Sequence, residues 1–152
     1  MIGNDLVDLH CASIESNWER RGFLNKLFCP TERDAILAAK DSFLAVWVYW
    51  TMKEAAYKIH SRLTGVRKFA PSSIVCRVVD DNRYGTVFHE GLQYFTETTI
   101  NKDYVHTSAA MQLDKLADIH TKIIFHEGTM PAYRDTHPAC VSHHGNYLAL
   151  VY

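Results

Sequence analysis

The sequence predicts an α+β fold with helices packed on an antiparallel sheet, and three observations carry that prediction. Helical patterning is confined to the part before Gly65, and its longest stretch, Phe43 to Leu63, contains no Gly or Pro. After Gly65 the chain changes to β-branched and aromatic segments separated by turn residues. Helices first and strands later favour antiparallel pairing over alternating parallel units.

Gly3 to Leu9 opens the chain as a short strand, with Leu6, Val7 and Leu9 as its apolar positions. Ser13 to Phe28 is mostly helical and interrupted near Gly22. In Pro30-Thr31-Glu32-Arg33-Asp34, Thr31 is the expected cap and Asp34 completes a variant capping box, for a helix ending near Lys40. Asp41 or Ser42 caps the next helix, in which Phe43, Val46, Trp47, Trp50 and Tyr57 form a wide apolar stripe. Ser73 to Val79 reads as a strand and Asp80-Asp81-Asn82 as a turn. Gly85 to Phe95, Tyr104 to Gln112, Lys122 to His126 and Val141 to Tyr152 supply further strands, some broken by turns.

A chain of 152 residues, 47% apolar and 22% charged, fits one globular domain spanning 1–152. A net charge of −1 gives no global case for nucleic acid. Asp5 stands where an export signal would carry positive charge, and Phe43 to Trp50 is far shorter than the roughly 20 residues that span a bilayer. The expectation is a soluble cytoplasmic protein without a membrane partner. Cys11, Cys29, Cys76 and Cys140 form no CxxC pair and read as small buried apolar residues.

The candidate chemistry lies in Lys53-Glu54-Ala55-Ala56-Tyr57-Lys58. Glu54 and Lys58 share a helix face, and such a pair is ordinarily a surface ion pair contributing roughly 0.3–0.5 kcal/mol. Here Glu54 follows Trp50 by one turn at the edge of the apolar stripe, and Lys53 sits beside it. Asp5 adds a carboxylate from a separate element. Two carboxylates with a lysine suit a magnesium–phosphate site, because magnesium takes oxygen ligands and lysine offsets charge on a transferring phosphoryl group.

These residues resemble a family. Gly3-Asn4-Asp5 and Trp50-Thr51-Met52-Lys53-Glu54-Ala55-Ala56-Tyr57-Lys58, at this spacing, are similar to the paired motifs of the 4′-phosphopantetheinyl transferases, especially the short holo-acyl-carrier-protein synthase type. Leu27-Phe28-Cys29-Pro30-Thr31-Glu32 resembles the segment before that family's second helix, and Val141-Ser142-His143-His144-Gly145-Asn146-Tyr147 its Ser-His strand. The match is good over about the first 80 residues and poor over residues 85–135.

The resemblance implies that a serine of an acyl or peptidyl carrier protein attacks the diphosphate of coenzyme A and accepts the phosphopantetheine arm. Adenosine 3′,5′-bisphosphate then leaves. Asp5 and Glu54 would hold Mg2+, Lys58 would stabilise phosphate charge, and Glu54 is the candidate base. Lys53 would contact phosphate or serve the structure. His143 would contact coenzyme A. Arg67 and Lys68, by default a solvated basic loop, would bind coenzyme A phosphates or an acidic carrier. Val7 replaces the third carboxylate of longer family members, and Asp8 points to the opposite face of a strand, so neither counts as a ligand. The short type forms trimers, so the resemblance implies homo-oligomerisation.

The rival reading is a catalytically silent module of the same fold that binds coenzyme A or a carrier protein. Most of the nine histidines read as structural or surface residues, since no HExxH occurs and adjacent His143 and His144 diverge in a strand. No P-loop or GxSxG elbow is present.

Overall fold

The structure is a computed structural model describing all residues, 1–152. β1 (Ile2–Asp8) leads into four helices: α1 (Leu9–Glu15), α2 (Phe23–Leu27), α3 (Pro30–Ala38) and α4 (Ser42–Thr64). β2 (Val75–Val79), β3 (Tyr84–His89), β4 (Leu92–Ile100) and β5 (Tyr104–Ala110) follow. The last part holds α5 (Leu113–Ala117), β6 (Thr121–Phe125), β7 (Cys140–His144) and β8 (Tyr147–Val151). An antiparallel sheet in the order β1-β5-β4-β3-β2 carries α4 on one face, and a second sheet in the order β6-β8-β7 lies against β1. The predicted α+β arrangement with antiparallel pairing is what the molecule adopts.

Local starts and stops differ from the sequence reading in instructive ways. The predicted helix over Ser13 to Phe28 is broken: α1 starts earlier, at Leu9, and ends at an extended Ser16, residues 16–22 are not helical, and a left-handed Gly22 opens α2. α3 begins one residue before the expected cap: Pro30 takes the first-turn position and Cys29 is the N-cap. Glu32, not Asp34, turns back to accept from the Cys29 N–H at 2.9 Å. The predicted cap Asp41 does cap α4, accepting from the Leu44 N–H at 3.0 Å. The expected segment Gly85 to Phe95 is two strands joined at Glu90-Gly91, both in the left-handed region. All four cysteines are free, and only Cys76 is buried; the other three are half-buried.

α4 is the core of the molecule. It is buried on nearly every side, not along one stripe: Val46, Trp47, Val48, Met52, Ala55, Ala56 and Ile59 all lie in the apolar core. A helix covered by a sheet on one side and by other helices on another has no solvent face to show periodicity. Gly3 lets β1 approach it closely, because a Cβ there would collide with the Ala55 carbonyl oxygen. A chain of hydroxyls, Thr51 to Thr107 at 2.7 Å and Thr107 to Thr98 at 2.9 Å, ties the same helix to β5 and β4.

β1 pairs with β5 along one edge only. Its opposite edge is met by side chains instead of by a strand ladder. Arg62 donates to the Ile2 carbonyl, Lys58 to the Asn4 carbonyl at 2.7 Å, Leu6 N–H donates to Ser142 Oγ at 3.0 Å, and Asp8 N–H donates to His144 Nδ1 at 2.9 Å. The alternation follows from strand geometry: even-numbered residues direct their backbone groups away from β5. Ser142 and His144, also two residues apart, match that period and attach the second sheet.

Candidate active site

A cleft of about 540 Å³ opens between β1, α4 and β7. Asp5, Ser16, Glu54, Lys58, Ser142, His143 and His144 supply its polar lining, and apolar residues including Trp47 and Trp50 form its walls. Close packing of β1 on α4 at Gly3 and Ala55 brings Asp5 beside the turns of the helix that carry Glu54 and Lys58.

Asp5 is nearly buried and accepts from Ser142 Oγ at 3.0 Å and from Lys58 Nζ at 3.3 Å. Burial raises its pKa above the usual carboxylate value, against the opposing pull of Lys58 and the hydrogen bonds. Glu54 is half-buried, and its pKa is pushed up to about 7 by burial first and by the charge of Asp5 second, with Lys58 opposing. The ion pair that Glu54 and Lys58 would ordinarily make is absent; Lys58 turns instead to Asp5 and the Asn4 carbonyl. Two carboxylates in one cleft, with Asp5 raising the cost of ionising Glu54 and oxygen the only donor atom they offer, fit a hard divalent cation.

Lys53 is not brought to this cleft. It is fully buried, bonding Glu32 at 2.8 Å, the Pro71 carbonyl at 2.8 Å and the Ile74 carbonyl. Glu32 completes the network by accepting from the Cys76 N–H at 2.8 Å. One residue along a helix turns the side chain by about 100°, and that rotation sends Lys53 into the interior while Glu54 faces the cleft. The expectation of a phosphate contact for Lys53 gives way to its structural alternative.

His143 is exposed, lines the cleft and stacks on His126 with ring centroids 5.2 Å apart. Arg67 and Lys68 are exposed beyond the end of α4, and neither lines the cleft. Asp8 lies outside the carboxylate pair: it caps α1 through the Cys11 N–H at 3.1 Å and accepts from the Asn146 N–H at 3.0 Å. Those backbone bonds outweigh partial burial and lower its pKa. Sequence reasoning missed Ser142 as a partner of Asp5 and His144 as a cleft residue. Their spacing of two in a strand is the only local signal, since their partners lie at the other end of the chain.

The family model of the 4′-phosphopantetheinyl transferase superfamily matches residues 1–111. Holo-[acyl-carrier-protein] synthase from Neisseria meningitidis is similar in fold, with a TM-score of 0.58 and 18% identity, over 71% of this chain and 94% of that one. An apo-ACPS structure from Chronobacterium ammoiniagenes gives a TM-score of 0.57 and 16% identity, over 72% of this chain and 93% of that one. No curated protein sequence matches. The family match therefore includes Asp5, Glu54 and Lys58 and ends before β7, so the Ser142-His143 strand, taken from sequence as a family motif, lies outside it. With the paired motifs inside the matched region and converging on one cleft, the chain belongs to the 4′-phosphopantetheinyl transferase superfamily and is a phosphopantetheinyl transferase with the holo-acyl-carrier-protein synthase fold.

Proposed function

We propose that the protein transfers the 4′-phosphopantetheine arm of coenzyme A to a serine of an acyl or peptidyl carrier protein in a magnesium-dependent reaction. The observation that carries this is the convergence of Asp5, Glu54 and Lys58 in one cleft, with the two carboxylates free of any close cation except Lys58. Asp5 and Glu54 would hold Mg2+, and the ion would supply positive charge against the diphosphate. Lys58, on a flexible stem, would shift its ammonium from Asp5 to the phosphate as the cation takes its place beside the carboxylate. Glu54 would take the proton of the serine hydroxyl. The serine oxygen then bonds to phosphorus, and the phosphorus–oxygen bond to adenosine 3′,5′-bisphosphate breaks. Ser142 would hold the Asp5 carboxylate in one orientation. His143 would contact coenzyme A from the mouth of the cleft, and Arg67 and Lys68 would meet coenzyme A phosphates or the carrier beyond it.

Residues 1–152 would fold as one domain, since Ser142 and His144 near the C-terminal end bond directly to β1. By resemblance the assembly would be a homotrimer, which sedimentation of the purified chain tests. No helix is long and apolar enough to cross a membrane, and a cytoplasmic location accords with carrier-protein substrates. The central test incubates the protein with apo carrier proteins of fatty-acid, polyketide and peptide type, coenzyme A and Mg2+. Mass spectrometry should show a carrier gaining the phosphopantetheine arm, with no gain under chelation. No modification of any carrier would favour the silent binding module.

A further inference from the structure

Away from the carboxylate pair, a second cluster of ligating side chains lies outside the lining of the cleft. His60, near the end of α4, and His89, at the end of β3, are both buried, with their rings 4.4 Å apart. Glu90 follows in the β3–β4 turn with φ of 46°, and its side chain is mostly exposed. One ligand atom from each residue falls within 4.8 Å of the others, and His60 Nε2 lies 3.1 Å from Glu90 Oε2.

Two details mark this group as more than a buried polar contact. His89 Nδ1 is enclosed and has no hydrogen-bond partner, and the ring lies against the Ser73 backbone. A buried imidazole nitrogen is seldom left without a partner, and this one is unused by the rest of the fold. His60 Nδ1 meets the Tyr94 hydroxyl at 2.8 Å. A phenol both donates and accepts, so Tyr94 supports either tautomer of His60. When it accepts, His60 carries its proton on Nδ1 and offers the Nε2 lone pair to the same centre. A partner on the outer nitrogen that orients a ligating imidazole is the usual support of a protein metal site.

We propose that His60, His89 and Glu90 bind a divalent transition-metal ion, with zinc as the ion their donor set favours. Two imidazoles and one carboxylate match zinc and leave a fourth position for water. Tetrahedral bonds of roughly 2.0–2.1 Å place ligand atoms roughly 3.4 Å apart, and the exposed Glu90 side chain is free to rotate inward. Magnesium prefers oxygen-only shells and is a poor occupant. The ion would clamp the β3–β4 turn to the end of α4. Sequence spacing could not show it, because the two histidines stand on different elements far apart in the chain.

The test uses the full-length protein and Zn2+ itself, in buffer with excess Mg2+. Equilibrium titration should show one tight Zn2+ per chain and a rise in the thermal midpoint. Co2+ substitution should give a visible spectrum of nitrogen and oxygen ligation without thiolate charge transfer, which separates this site from the free cysteines. Glu90→Gln, on an exposed side chain that does not threaten the fold, should weaken Zn2+ binding by on the order of tenfold or more. His89→Gln should remove the tight site. Absence of tight Zn2+ binding by the wild type, or wild-type affinity in Glu90→Gln, overturns the proposal.

Discussion

Glu54→Gln should make the protein more stable while removing its transferase activity. The Glu54 pKa rises from an ordinary 4.5 to about 7 through burial and the charge of Asp5. Each pKa unit corresponds to about 1.4 kcal/mol, which sets a ceiling of roughly 3 kcal/mol on the cost of keeping Glu54 ionised in the fold. Glu54 borders an open cleft, so solvent screening reduces that cost to about 1–2 kcal/mol. The sign follows from linkage: a carboxylate with a raised folded pKa contributes stability that is fully present below pH 4.5 and is lost as pH rises through 7. Gln carries no charge at any pH and avoids that loss. For a chain of this size the gain corresponds to about 2–8 °C in thermal midpoint. The assay is thermal unfolding of wild type and variant under chelation, at pH 4.5 and at pH 8.5. The midpoints should nearly coincide at the lower pH and separate at the higher. Equal midpoints at pH 8.5, or a gain that does not depend on pH, would refute the electrostatic reading of this site. Retained transfer activity would remove Glu54 from the proposed chemistry.

Four further substitutions probe the frame around that carboxylate. Gly3→Ala should cost several kcal/mol or prevent soluble expression, because the added methyl meets the Ala55 carbonyl; normal denaturant unfolding would contradict the close approach of β1 to α4. Lys53→Met strands the buried Glu32 carboxylate and should cost about 3–5 kcal/mol. Its folded fraction should keep the wild-type Michaelis constant for coenzyme A, and a raised constant at unchanged stability would return Lys53 to the phosphate site. Ser142→Ala should weaken Mg2+ binding by roughly tenfold through loss of the Asp5 hydrogen bond; unchanged Mg2+ affinity with lowered stability would confine Ser142 to holding the edge of β1. Charge reversal at Arg67 and Lys68 should raise the Michaelis constant of coenzyme A or of the carrier by about tenfold without altering Mg2+ affinity, and constants unchanged for both substrates would show the loop to be merely solvated.

What was legible in the sequence was local. The long helix, its Asp41 cap, the first strand and the turn at Asp80-Asp81-Asn82 each depend on residues within a few positions of one another. The placement of Asp5, Glu54 and Lys58 together was legible only through paired motifs, since nothing local says that β1 packs on that helix. Lys53 shows where such reasoning stops. A helix apolar on nearly every side has no readable phase, and the inward direction of Lys53 is set by Glu32 and the Ile74 carbonyl, both distant in the chain. The break at Glu90-Gly91 was hidden because Glu seldom adopts a left-handed backbone.

The side chains along the outer edge of β1 carry two duties. An unpaired strand edge is a template on which another chain can add itself, and natural proteins blunt such edges with charged groups. Here Lys58 and Ser142, both proposed to serve the reaction, also occupy that edge. A substitution that silences either one uncovers a row of backbone groups as well as a cleft. Loss of turnover at these positions should therefore arrive together with a tendency to self-associate. The pressure that keeps Lys58 and Ser142 in place is then partly a pressure to stay in solution, one that a transferase assay alone does not register.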